Sequence, residues 1–307
     1  MLNFIIRRLL IAIPTILIII LLSFLLMHSA PGGPFSAERS LPAEVLANIE
    51  HKYGMDKPVI EQMARYLWGI LTEFDFGPSF KYKNQSVNDL IASGFPVTLT
   101  YGIWSFIFAS LIGVTLGVIA ALKHNTWLDY LATGGAIIGS VLPNFVMAPL
   151  LVLLFSVYLN WLPGGGWEGG KIQFIILPVI ALATSYLAGI ARITRSSMLE
   201  VLNSNFIRTA KAKGLPNHYI ILHHALKPAM LPVLTSLGLS FVGMITGSVI
   251  IDQYFSTGGI GQHFVNAALN RDYSVIMGVT ILVGSLTILF NLLVEVLYAW
   301  IDPRIRY

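Results

Sequence analysis

Three clusters in this 307-residue chain have residue types that chemistry could use. Gly165-Gly166-Trp167-Glu168-Gly169-Gly170-Lys171 matches the GxxxxGK part of a phosphate loop, whose backbone amides cradle phosphates while the lysine neutralises them. Ile172 stands where that loop needs a Mg-binding Ser or Thr, and no strand precedes it. The glycines therefore read as a tight reversal with Trp161 and Trp167 at the lipid headgroups, and the chain is expected neither to bind nor to hydrolyse ATP alone. Gly238-Leu239-Ser240 has the form of a buried serine nucleophile, but no histidine lies within the apolar stretches to act as its base, so it reads as a small-residue helix contact. His218, His223 and His224 resemble a ligand set, yet adjacent histidines diverge around a helix and no carboxylate accompanies them. There is no cysteine, which removes disulfides, thiolate metal sites and cysteine nucleophiles together. No catalytic residue, cofactor site or metal site is expected in this chain.

The elements that must position these residues are set by composition. The chain is 55% apolar and only 11% charged, with a mean hydropathy of +0.74. Soluble domains run nearer a quarter charged, so lipid is the expected solvent. The net charge of +4 could suggest nucleic acid, but in a membrane protein the placement of Lys and Arg matters more than their sum. Stretches free of Asp, Glu, Lys and Arg run Leu9–Met27, Val97–Leu122, Leu131–Tyr158, Ile172–Ala191, Ala229–Ile251 and Val275–Val294. Each reaches the roughly 20 residues that a helix needs to cross hydrocarbon. The third is long enough to tilt, with kinks expected at Pro143 and Pro149. The first, after Arg7 and Arg8, is too long for a signal peptide, and His28-Ser29-Ala30-Pro31 is a poor cleavage site.

Orientation follows from the basic residues. With the N-terminus inside, the inner segments hold Arg7, Arg8, Lys123, Arg192, Arg195, Arg208, Lys211, Lys213, Lys227, Arg304 and Arg306, while the short outer loops hold Lys171 and Arg271. Both termini are thus expected in the cytoplasm. Residues 31–95 form an external insertion between an N-terminal helix (1–30) and a core of five further spans (96–300), with a cytoplasmic tail at 301–307. In the insertion, Ile60, Met63, Ala64, Leu67, Trp68 and Leu71 fall at helical spacing, and Gly32-Gly33-Pro34 and Gly77-Pro78 punctuate its ends. This helix reads either as a packing element over the outer mouth or as a docking surface for an external partner.

Gradient-driven transporters place ionisable residues inside the bundle. None is expected at mid-depth here: Glu295, Asp252 and His28 fall at span ends and read as interfacial anchors. A solute moved uphill would then draw its energy from another protein.

The longest inner loop, 192–228, has an internal order that a bland loop would not need. Ser204 or Asn205 can cap a short helix through Phe206, Ile207, Ala210 and Lys213. Gly214 closes it in a left-handed position, and Pro216 starts a second short helix through Ile220 and Leu226. Periodicity leaves two uses open: docking into a groove on a partner, or resting on the inner leaflet.

The run Phe206-Ile207-Arg208-Thr209-Ala210-Lys211-Ala212-Lys213-Gly214-Leu215, with His224-Ala225-Leu226 and Leu231-Pro232, resembles the coupling segment of binding-protein-dependent ABC importer permeases. More narrowly it is similar to the B-type membrane subunit of oligopeptide and dipeptide importers. Further stretches agree: Arg7-Arg8-Leu9-Leu10 with Ile13-Pro14, Ala30-Pro31-Gly32, Asp75-Phe76-Gly77 with Ser79-Phe80, and Ser140-Val141-Leu142-Pro143. Phe255-Ser256 with Gly258-Gly259-Ile260-Gly261, Asn270-Arg271-Asp272-Tyr273 and Ile301-Asp302-Pro303-Arg304 complete a match along the whole chain.

The resemblance implies an all-α membrane protein of the type I ABC importer permease kind, with six transmembrane helices in the bacterial inner membrane. It implies a second, similar permease subunit, two cytoplasmic ATPase subunits that hold ATP and Mg, and an extracytoplasmic peptide-binding protein. Contact with an ATPase would fall on Phe206, Arg208, Thr209, Ala210, Lys213, Gly214 and Leu215. Where many importers carry Glu-Ala-Ala before the key glycine, this chain has Arg208-Thr209-Ala210, a variation that peptide-type permeases share. Nickel and glycopeptide importers share this permease type, and an ATP-independent channel would also have uncharged spans.

Overall fold

The computed structural model describes residues 2–29, 51, 54–82, 84–246 and 248–301. Ala30-Pro31-Gly32, the turn at Gly32-Gly33-Pro34, and Asp302 through Arg306 lie outside the described residues. Eleven helices follow one another in the described chain. They are α1 (Leu2–Ser29), α2 (Val59–Glu73), α3 (Val87–Leu122), α4 (Trp127–Val141), α5 (Asn144–Tyr158), α6 (Ile172–Leu202), α7 (Asn205–Ala212), α8 (Asn217–Thr246), α9 (Val249–Phe255), α10 (Ile260–Asn270) and α11 (Tyr273–Ile301). Among the described residues there is no strand, only an isolated bridge between Pro78 and Ser86.

Five helices, α1, α3, α6, α8 and α11, are long and apolar enough to cross a membrane; α4 and α5 supply a sixth span if the pair is counted as one. That pair bends by 107°, where kinks at Pro143 and Pro149 were expected. Proline disfavours the helical region for the residue before it, and Leu142 accordingly lies extended (φ −77°, ψ 113°), which ends α4 outright. Pro149 stays inside α5, and Val152–Tyr158 beyond it winds as a π-helix.

Other boundaries also move. α3 begins at Val87 and runs through Pro96, so the limit drawn at 95/96 falls within a continuous helix. α6 continues to Leu202, well past Ala191. The second short helix of the inner segment is the start of α8, joined to it through a π-wound stretch at Ile220–Ala225; α8 then stops at Thr246 rather than Ile251.

The chain divides into two compact units, Met1–Val97 with Gly258–Tyr307, and Thr98–Thr257. In the first, Ile20 and Phe24 of α1 pack with Ile70 of α2 and with Met277 and Ile281 of α11. Arg8 pairs with Glu295 at 2.8 Å, so the expected anchor is an ion pair between α1 and α11. His28 stacks on Phe24, with ring centroids 5.1 Å apart. A second cluster joins Val87 and Leu90 to Ile260, Ala267, Val275, Ile276 and Val279.

Beside that cluster Asp272 is wholly buried and accepts from Ser79 Oγ (2.5 Å), Phe80 N (3.1 Å) and Lys81 N (3.3 Å). Its Oδ1 also takes the Val275 amide (3.4 Å), so it caps the first turn of α11. The expected α2 helix is present, but its inward face is Met63, Tyr66, Leu67 and Ile70. Ile60, Trp68 and Leu71 are exposed, because a stripe six residues wide exceeds what one neighbouring pair of helices can cover.

In the second unit α6 is the central helix. Small residues let its neighbours approach: a Cβ at Gly117 of α3 would stand 2.6 Å from the Ala191 carbonyl oxygen, and one at Gly243 of α8 2.6 Å from the Tyr186 hydroxyl. The close approach of α8 to α6 is thus made at Gly243. One end of the unit carries the 160–171 turn, where Gly166 N donates to the Phe255 carbonyl at 2.7 Å and a Cβ at Gly165 would meet the same oxygen at 2.7 Å. Lys171 pairs with Glu168 at 2.8 Å. Trp161 is exposed as expected, whereas Trp167 turns inward to meet Tyr101 edge-on. Asp252 is buried here too, taking Thr98 Oγ1 (2.9 Å) and Thr257 Oγ1 (3.1 Å). It lies on α9 beyond the end of α8, as an internal acceptor rather than an interfacial anchor.

Candidate coupling surface

The other end of the second unit is built from the last turns of α6, then α7 and the first turns of α8. α6 stops where Asn203 leaves the helix, its amide still bonded to the Leu199 carbonyl. Ser204 occupies the N-cap position of α7 with extended backbone, but its hydroxyl donates backwards to the Val201 carbonyl at 2.6 Å. The expected side-chain cap is therefore replaced by a bond that secures the α6–α7 turn. α7 is eight residues long, too short to persist in water without a packed face.

That face is Ile207 and Ala210, both buried against Ala121, Met198, Ile220, Ala225 and Ala229. The helix ends in a Schellman motif: Leu215 N bonds the Ala210 carbonyl at 3.4 Å and Gly214 N the Lys211 carbonyl at 3.0 Å. Gly214 takes φ +78°, the left-handed value the sequence requires of it, and a Cβ there would meet open space. Strain from the backbone, not crowding, is what excludes a side chain at this position. Leu215 folds back onto the same cluster, which completes the motif's apolar contact.

The seven residues expected at a coupling contact thus divide in two. Ala210 and Leu215 face inward and hold the helix to its base. Phe206 is 50% exposed, and Arg208, Thr209, Lys213 and Gly214 are exposed beside it. A large aromatic ring held in the open by a buried neighbour, Ile207, is a knob suited to a groove. Of the three histidines, His223 stacks on Tyr219 with centroids 4.3 Å apart, and His224 meets the same ring edge-on at 5.7 Å.

The base beneath α7 is fastened by Ser197, Arg195 and Asp129. Ser197 Oγ donates to the Ala229 carbonyl (2.8 Å), tying α6 to α8. Arg195 grips Asp129 with two bonds, Nε to Oδ1 at 2.6 Å and Nη2 to Oδ2 at 2.7 Å, tying α6 to α4. Asp129 is 2% exposed and also accepts from the Asn125 amide and Thr133 Oγ1, with His124 Nδ1 at 3.2 Å. A signal was present in the sequence: Asp129 is the sole acid between Asp89 and Glu168, and a lone acid beside an apolar span needs a partner.

Residues 113–307 match the model of the binding-protein-dependent transport system inner membrane component, and residues 1–102 match its N-terminal counterpart. The chain is 60% identical over 307 residues to an oligopeptide transport system permease protein of Escherichia coli, and 58% identical to one of Haemophilus influenzae, with 100% of both chains covered in each case. It is 44% identical to a dipeptide transport system permease protein of Bacillus subtilis, covering 98% of it. Among solved structures, an inward-facing MetNI methionine ABC transporter chain superposes with a TM-score of 0.59 at 17% identity, over 69% of this chain and 96% of that one; this likeness concerns the fold. With family models that together run along its length, the chain belongs to the inner membrane components of binding-protein-dependent transport systems.

Proposed function

We propose that this chain is the permease subunit of an ATP-driven, binding-protein-dependent importer of peptides. The observation that carries the reading is identity of about three residues in five with oligopeptide permeases, without a gap in coverage of either chain. The chain would form half of a translocation pathway with a second, similar subunit. Two ATPase subunits, which hold the ATP and Mg, would receive α7, and an extracytoplasmic protein would deliver the peptide. ATP binding would draw the ATPases together, move α7 and rock the bundle from inward to outward facing; hydrolysis would reset it. The chain itself contributes no catalytic group to that cycle.

The geometry supports this use of α7 over simple rest on lipid. Its basic residues and its aromatic knob share one exposed surface, while its inward face ties any force on the knob to α6 and α8 through Ile207, Ala210 and Ser197. In this reading α7 and both termini are cytoplasmic and residues 31–95 are external. Cysteines introduced at Gln85 and Ala212, both exposed, should label from outside and inside respectively; the reverse would overturn the topology. The function is tested by reconstituting the chain with its partner subunits and binding protein. Uptake of a tripeptide that requires ATP is expected. Equal flux from the chain alone without ATP would indicate a channel, and uptake of nickel but no peptide would indicate a metal importer of the same type.

A further inference from the structure

One face of α6 has the wrong chemistry for lipid. Three sides of α6 are occupied: Ile190 and Thr194 meet α3 at Gly113 and Gly117, Thr184 and Ala188 meet α4 at Gly139 and Ala136, and Tyr186 and Ser197 meet α8. Beside these contacts run Ser185, Gly189, Arg192 and Ser196, which recur at i, i+4, i+7 and i+11 and so form one stripe, met by α5 at its Ser185 end. Arg192 and Ser196 are exposed, and a Cβ at Gly189 would meet nothing within 4 Å. A helix that shows its open side to hydrocarbon puts its most apolar residues there; this one puts its most polar.

Two further observations mark the stripe as wet. Arg192 does not reach toward Asp129 with Arg195, one turn away. Its Nη2 donates to Ser140 Oγ at 2.8 Å, near the far end of α4 and about 20 Å along that helix from Trp127 at 1.5 Å per residue. The guanidinium therefore lies toward the α4–α5 break, beside the apolar stretch of α4, where facing lipid would be strongly unfavourable. The 107° break between α4 and α5 lies alongside, flanked by Ser140 and by Asn144, whose Oδ1 accepts from Ser185 Oγ at 2.7 Å. Non-helical backbone at membrane depth persists where it is buried in protein or lines water.

We infer that this stripe lines the translocation path and that Arg192 is the residue on it that receives the C-terminal carboxylate of the passing peptide. A planar guanidinium with several donors matches a carboxylate in two parallel bonds, and the bond to the neutral Ser140 hydroxyl is one that a charged acceptor can displace. The inference rests on the peptide-import reading and deepens it.

The test uses the full reconstituted complex with its binding protein and measures uptake per assembled complex of a tripeptide with a free C-terminus and of the same tripeptide as its C-terminal amide. The acid-to-amide uptake ratio is expected to fall about tenfold in Arg192→Gln and less in Arg192→Lys, which keeps the charge but not the fork. Ser140→Ala, which alters only the anchor of the guanidinium and serves where Arg192→Gln fails to assemble, should shift the ratio about threefold. An unchanged ratio in Arg192→Gln, or equal losses for acid and amide, would overturn the assignment. A wild-type complex that imports neither peptide with ATP would overturn the import reading itself, and this inference with it.

Discussion

Asp272 and Phe206 both lie in segments that resemble the same permease family, but the molecule uses them in opposite ways. The carboxylate of Asp272 is enclosed by Ser79, Phe80, Lys81 and Val275, and nothing of it remains to meet another molecule. Phe206 is held out by the burial of the residue after it, and half its surface is uncovered within its own chain. The first kind of segment fastens a fold. The second leaves apolar surface uncovered within its own chain, where a partner protein or a lipid surface can take it. A shared motif therefore does not by itself mark a site; what decides is whether the chain satisfies the side chain internally.

This contrast is best broken at Asp272, where the largest effect is expected. Asp272→Ala removes an N-cap, worth about 1 kcal/mol, and strands buried donors at about 1 to 3 kcal/mol each. The variant should lose folded protein, read as a lower midpoint of thermal unfolding in detergent and a smaller monodisperse fraction. Unchanged stability would mean that the fastener reading is wrong. Next comes Arg195→Ala, which leaves Asp129 buried without its bidentate partner. Removal of one member of such a pair usually costs more than removal of both. The double variant Arg195→Ala with Asp129→Ala should thus be the more stable of the two, and the reverse order would show that Arg195 serves something other than Asp129.

Much of this was legible in the sequence. The apolar runs located α1, α3, α6, α8 and α11, and the position of Gly214 foretold the left-handed end of α7 because only one backbone geometry makes a glycine useful there. The sharp turn at Leu142-Pro143 was not legible as such, since a proline within an apolar run kinks a helix or ends it according to the packing around it. Nor was the fate of Ser204, which has the composition of a cap but bonds backwards to Val201. At the candidate coupling surface, spacing identified the helix and its stop, but which of its residues face inward depends on α3, α6 and α8 meeting beneath it. Arg192 was assigned from its Cα to the inner edge, while its side chain reaches Ser140; chain position alone does not tell which way a long side chain extends.

The smaller effects separate the two uses of α7. Gly214→Val forces a β-branched residue into φ +78° and should disturb the helix end. Phe206→Ala leaves the helix in place and removes contact area worth roughly 1.5 to 3 kcal/mol if a partner buries it fully. Lys211→Gln with Lys213→Gln removes about 1 kcal/mol of attraction per charge at an anionic surface. The direct measurement is ATPase retention together with ATP-driven tripeptide uptake by complexes carrying Phe206→Ala or the double Gln change, in neutral and in anionic vesicles. The account predicts that Phe206→Ala releases the ATPases or uncouples hydrolysis from uptake in both lipids, with the double Gln variant the milder of the two. Normal uptake in Phe206→Ala, with loss confined to the double Gln variant in anionic vesicles, would contradict it.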